Sequence, residues 1–204
     1  MAETHPNSRL ETFCDGVFAI ALTLLIIDIK IPPTETIHST ADFWLELGHI
    51  APSIFAFVLS FIVILITWVN HHNGAKLVAR SSSSFVYANG FLLLAVVFVP
   101  FPTALVGEYL FTDHAAPAVM LYETVFALQA VGWILITSAI IKNNLAKNEK
   151  ALARVRENRK YGYFAFTIYA LCTIIAYWFP LTIAAITTAI WVFWLVYGIS
   201  MKEE

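Results

Sequence analysis

Charge is scarce in this chain: Asp, Glu, Lys and Arg make up 13% of its 204 residues, against about a quarter in a soluble globular domain. Such a surface is solvated mainly by lipid. Cysteine is scarcer still. Only Cys14 and Cys172 are present, each within or beside an apolar run, which excludes a disulfide framework or a thiolate metal site. The chain has no glycine loop to cradle phosphate and no protease-type zinc helix. It lacks the Thr-Val-Gly-Tyr-Gly sequence of a carbonyl-lined ion filter. The repeated arginines of a voltage-sensing helix are missing too, so steep voltage dependence is not expected. A net charge of -2 argues against a nucleic-acid partner. The one basic run, Lys142 to Lys160, has no aromatics interleaved before Tyr161 and reads as an anchor at anionic lipid.

What the chain does have is apolar length. Hydrophobic residues make up 59% of it, and the mean hydropathy is +0.74. Apolar runs cover residues 10–31, 43–69, 84–106, 117–141, 161–179 and 181–199, each near the roughly 17 to 25 residues of a spanning helix. The expectation is an all-α polytopic membrane protein with six transmembrane helices, forming a single domain over 1–204. The last two runs meet at Phe179-Pro180, and together they would overshoot a ~30 Å core, so a hairpin is expected there. Pro100 and Pro102 predict a kink in the third run. Ser39 to Asp42 reads as the cap of a helix starting near Phe43, and Leu145, Ala146, Leu152 and Val155 suggest a short surface helix. The first run lacks a small-residue cleavage pattern and is expected to stay in the mature protein.

Six spans place both termini on one side together with eleven of the twelve Lys and Arg; only Lys30 lies opposite. The excess of basic residues in cytoplasmic loops then makes both termini cytoplasmic, in a cell inner membrane or plasma membrane. The outer loops hold Glu35, Asp42, Glu108 and Asp113, a rim that weakly favours cations.

The first span has a patterned face. Gly16, Ile20, Thr23, Leu24, Ile27 and Ile31 recur at offsets of three and four, hence on one side of a helix. Several copies around an axis would stack Ile20, Leu24 and Ile27 as apolar rings, a constriction that gates by dewetting, with Thr23 supplying hydroxyl oxygens between them. Ordinary lipid or core packing explains such a stripe as well. At the charged end, Arg9 and Phe13 share a face and Asp15 points elsewhere. The second span returns Trp68, His71 and His72 to the same leaflet, so Arg9, Asp15, Trp68 and His71 are expected to form a hydrogen-bond cluster that offsets burial of the aspartate. A carboxylate at a wet helix start and interfacial histidines are the plainer alternatives. Adjacent histidines diverge on a helix, and no further acid or cysteine completes a metal site. Glu123 in the fourth run reads as structural or interfacial.

These residues carry a resemblance. The stretch Arg9-Leu10-Glu11-Thr12-Phe13-Cys14-Asp15, followed by Gly16-Val17, Ala19-Ile20 and Thr23-Leu24-Leu25, resembles the transmembrane protein 175 family of potassium channels, marked by an Arg, three variable residues and Phe-Ser-Asp. Trp68 with His71-His72 fits the same family. The resemblance implies a potassium-selective or potassium-preferring cation channel of the prokaryotic single-repeat type, assembled as a homotetramer with its pore lined by the first helix. Ile20 would be the isoleucine constriction, Leu24 and Ile27 further apolar levels, and Thr23 the layer linked to potassium preference. Arg9, Phe13, Cys14, Asp15, Trp68 and His71 would form a structural and gating network. Cys14 stands where the motif has serine, a weaker donor with a larger sulfur. No cofactor is implied beyond permeant potassium, and the other partners are membrane lipids.

An ion-coupled secondary transporter is the alternative, but it calls for inverted repeats or broken midmembrane helices, and neither is evident in the sequence. An enzyme is not expected, since no nucleophile and oxyanion arrangement accompanies Asp15, His71 and His72.

Overall fold

A computed structural model of the chain describes residues 7–200, the last four by backbone alone. Eight α-helices follow one another: α1 Ser8–Leu24, α2 Thr40–His49, α3 Ala51–Ala75, α4 Ser83–Phe98, α5 Pro100–Tyr109, α6 Ala115–Lys142, α7 Glu149–Ile175 and α8 Pro180–Ser200. Four stretches are long and apolar enough to cross a membrane: Ser8–Asp28, Ala51–Ala75, Ser83–Tyr109 and Ala115–Lys142. The chain is thus an all-α, multi-pass membrane protein. A shorter apolar helix covers Pro180–Val196, while α7 carries charges through its first three turns.

Proline and short polar side chains set the helix ends. Ser39 accepts from the Asp42 N–H at 3.1 Å, and the Asp42 carboxylate accepts from the His38 N–H at 3.1 Å, a reciprocal cap that starts α2. Asn148 caps α7 by accepting from the Ala151 N–H at 2.8 Å. Pro180 opens α8 after a turn at Ala176 to Trp178, where a hairpin is expected. The third run breaks at Val99 before Pro100, and Thr103 donates its hydroxyl to the Val99 carbonyl at 2.8 Å. Pro100 lacks the donor that would reach the Val96 carbonyl, which accepts from the Val99 N–H at 3.1 Å instead.

Two expectations need correction. The second apolar run is not one helix: it divides at Ile50, where Pro52 begins α3, and α2 buries none of its own residues. Pro52 has no N–H for a helix arriving from upstream, so the chain restarts there. The short surface helix is also absent. Leu145 and Ala146 instead pair with the 77–79 loop, with Ala79 N–H donating to Leu145 O at 2.8 Å and Lys147 N–H to Leu77 O at 3.0 Å, and Leu152 and Val155 belong to a continuous α7. The same loop holds Asn7, which accepts from the Ser81 hydroxyl. The start of α1 is thereby tied to the link between α3 and α4.

Packing centres on α6, which lies against α7 and α4 most extensively. Between lipid-solvated helices, close fit matters more than apolar area, because lipid tails are as apolar as leucine. Gly132 brings α6 so near α4 that a Cβ there would stand 3.0 Å from the Leu92 Cα, and at Gly107 on α5 it would stand 2.8 Å from the Ser53 Cα on α3. One apolar cluster joins Cys14, Phe18 and Ala21 of α1, and Leu25 just beyond it, to Ile64, Leu92, Val96 and Ile140. A second joins α3, α5, α6, α7 and α8 around Val63, Tyr122, Phe126 and Tyr169.

Candidate functional site

The first helix has two unlike faces. Cys14 and Phe18 are 0% and 1% exposed, and Ala21 and Leu25 are equally enclosed. On the other side Ile20 is 57% exposed and Ile27 70%, with Phe13, Gly16, Thr23 and Leu24 open along the same stripe. A 3-10 turn, Leu25–Asp28, continues α1 and carries Ile27. The rise per residue is about 1.5 Å in the α part and about 2.0 Å in the 3-10 turn, so Ile20, Leu24 and Ile27 sit about 6 Å apart along the axis. Nothing approaches the Gly16 Cβ direction within 4 Å, so this glycine makes no close contact within the protomer.

Thr23 lies between the aliphatic levels and donates its hydroxyl to the Ile20 carbonyl at 2.9 Å. With its proton committed to the backbone, the oxygen is left as an acceptor on the open face.

The anchorage of α1 differs from the expected four-residue cluster. Trp68 on α3 donates its indole N–H to Asp15 Oδ1 at 2.8 Å, and His72 stacks on Trp68 with ring centroids 6.0 Å apart. His71 turns away toward α4, where its Nε2 lies 2.8 Å from Asn89 Oδ1. The Asn89 amide donates to the Phe85 carbonyl at 2.8 Å, so its oxygen accepts from His71. Arg9 is exposed and has no side-chain hydrogen bond or ion pair among the described residues. Residues 68 and 71 lie three positions apart and diverge by about 60° around a helix, which is why one tryptophan and one histidine serve two different neighbours. His71 still reaches α1, since its ring packs against Phe18 at 5.5 Å.

Asn89 was missed by sequence reasoning, although an asparagine within an apolar run is a signal of a polar contact. Also missed was the buried trio in which Ser60 bridges Thr103 at 2.7 Å and Tyr122 at 2.9 Å. Glu123 is fully buried and accepts from the Thr187 hydroxyl at 2.7 Å, while its second oxygen has no hydrogen-bond partner among the described residues. This fits the structural role expected of it. A cavity of about 40 Å³ beside His71 and Asn89 has room for water. Among the described residues no three His, Cys, Asp or Glu side chains gather as metal donors.

Residues 9–100 match the family described as Endosomal/lysosomal potassium channel TMEM175. The chain also superposes on the crystal structure of a lysosomal potassium-selective channel TMEM175 homolog from Chamaesiphon minutus, with a TM-score of 0.83, 32% identity, and coverage of 94% of this chain and 97% of that one. The chain belongs to the TMEM175 family. Among curated relatives, it is 46% identical over 129 residues to a potassium channel of Chamaesiphon minutus, which is 63% of each chain. It is 44% identical over 135 residues to a potassium channel of Streptomyces collinus, covering 63% of this chain and 64% of that one. The matched stretch therefore spans just under two thirds of the length of these relatives. The TMEM175 match includes α1, α3 and α4, and with them the open stripe and both anchoring pairs.

Proposed function

We propose that this protein conducts potassium ions through a pore built from several copies of α1. The observation that carries the reading is the split of α1 into a buried face around Cys14, Phe18 and Leu25 and an open face holding Ile20, Thr23, Leu24 and Ile27. A helix whose patterned face finds no neighbour among the described residues of its own chain is suited to facing other copies across an axis. Ile20, Leu24 and Ile27 then form stacked apolar levels where a narrow tube excludes water, and hydrated ions stop until the tube widens. Thr23 provides the oxygen layer that favours potassium over a smaller, more tightly hydrated cation. The relatives named as potassium channels support the choice of ion.

In this reading six helices cross the membrane, with α7 and α8 completing the bundle. Residues 1–204 act as one channel domain, four copies assemble, and both termini face the cytoplasm. The Asp15–Trp68 bond holds α1 at its inner end, and the His71–Asn89 pair fixes the ring that packs against Phe18. Phe13 closes the inner end of the open stripe, Cys14 packs behind it, and Arg9 sets the charge at the inner mouth. No cofactor takes part, since ion passage down a gradient needs no bond to be made or broken. The test is potassium-driven flux in liposomes containing the purified protein, compared with Ile20→Asn. Flux that rises in the variant supports the constriction. Absence of flux in both under every potassium gradient overturns the reading.

A further inference from the structure

The cytosolic half of α7 is continuous with its membrane half, and one exposed stripe runs through both. Arg156 and Lys160 lie on that stripe at a spacing of four, followed by Phe164, Leu171 and Ile175, all of them exposed. Charge thus gives way to apolar surface along a single face, with Tyr161 and Tyr163 exposed at the changeover. Aromatics of this kind sit at headgroup level.

The cations here outnumber their counterions. Residues 149–160 hold five Lys and Arg against Glu149 and Glu157. Tyr161 donates its hydroxyl to Glu157 at 3.0 Å, and among the described residues none of these cations lies within 4.0 Å of a carboxylate. Two like charges four residues apart on a helix repel each other. An anion lying between Arg156 and Lys160 reverses that cost, and acyl chains below it would cover Phe164 and Leu171.

We infer that Arg156 and Lys160 form a binding site for the headgroup of an anionic phospholipid, whose chains lie along the α7 stripe. The occupant is a lipid rather than free phosphate because the cations lead directly into an uncovered apolar track. This inference rests on the reading of α7 as a membrane crossing. The site joins the pore helix through the 145–147 and 77–79 pairing and the Ser81–Asn7 bond, so an occupied site steadies the start of α1.

The experiment is native mass spectrometry of the full chain titrated with dioleoylphosphatidylglycerol, with dioleoylphosphatidylcholine and glycerol phosphate as comparators. The parent is expected to retain phosphatidylglycerol in preference to phosphatidylcholine, and R156Q/K160Q to weaken it roughly tenfold or more, at about 1 kcal/mol per basic residue. K76Q/R80Q is expected to bind as the parent does, and R156K/K160R to restore binding if the glutamine pair folds poorly. Equal retention of the two lipids by the parent, or unchanged retention by R156Q/K160Q, overturns the site. Displacement by glycerol phosphate overturns the lipid assignment. Rubidium uptake by the same preparations separates the two readings. Uptake without lipid preference removes this site alone, and lipid preference without uptake removes the channel reading alone.

Discussion

Trp68 and Asp15 join α3 to α1 through one hydrogen bond of 2.8 Å, made by residues 53 positions apart in the chain. The acceptor is a carboxylate, and a neutral indole is its donor. Trp68→Phe removes the donor while keeping most of the ring, and Asp15→Asn removes the charge. Each is expected to lower stability by about 1 kcal/mol, since Asp15 stays open to water and replaces the lost bond in part. The double variant should cost little more than either single one. Thermal melting of the detergent-solubilised protein measures all three, and additive losses would show that the bond does not couple the helices.

Glycine substitutions should separate packing from conduction. Gly107→Ala forces a Cβ to within 2.8 Å of the Ser53 Cα, whereas the Cβ of Gly16→Ala meets nothing within 4 Å. The first is expected to cost about 1–3 kcal/mol in stability, as overpacking does. The second should leave stability unchanged and lower ion flux, because its new methyl narrows the open stripe. A Gly16→Ala protein that melts earlier than the parent would mean that a neighbour, in the same or another copy, packs closely on that face.

Glu123 and Thr187 offer a test of buried polarity. Thr187→Val leaves a fully buried carboxyl with neither oxygen partnered, at an expected cost of about 1–3 kcal/mol. Adding Glu123→Met removes the stranded group as well. The double variant should therefore recover most of the lost stability, or exceed the parent. A double variant less stable than Thr187→Val alone would give the carboxyl a role that packing does not explain.

Thr23 and Ile20 should affect different observables. Thr23→Ala removes the oxygen layer and keeps the apolar levels, so the reversal potential under asymmetric potassium and sodium chloride is expected to shift toward reduced potassium preference. In the proposed pore, Ile20→Asn wets the apolar level and should raise conductance. A reversal potential that moves only with Ile20→Asn would transfer selectivity to the apolar level.

The sequence made some of this plain and hid the rest for physical reasons. Apolar runs mark where lipid solvates the chain, and prolines at 100 and 180 mark where a helix cannot continue, so those boundaries were readable. The stripe on α1 was readable because 3.6-residue periodicity fixes which side chains share a face. The break at Ile50 was harder, since Pro52 is tolerated in a first turn and its effect depends on what precedes it. The partner of His71 was not readable. Periodicity says that Trp68 and His71 diverge, but only the placement of α4 brings Asn89 to within 2.8 Å of the histidine. The pairing of residues 77–79 with 145–147 depends likewise on how α3 and α6 end side by side.

Cysteine accessibility along α1 tests the central claim most directly. In a Cys14→Ser, Cys172→Ser background, single cysteines at Ile20, Thr23, Ile27, Phe18 and Leu25 would each be exposed to a small water-soluble thiol reagent while rubidium flux is recorded. The account predicts that flux is blocked by modification at 20, 23 and 27, and that cysteines at 18 and 25 have no effect. Block at 18 and 25, or flux unaltered by modified cysteines at 20, 23 and 27, would contradict it.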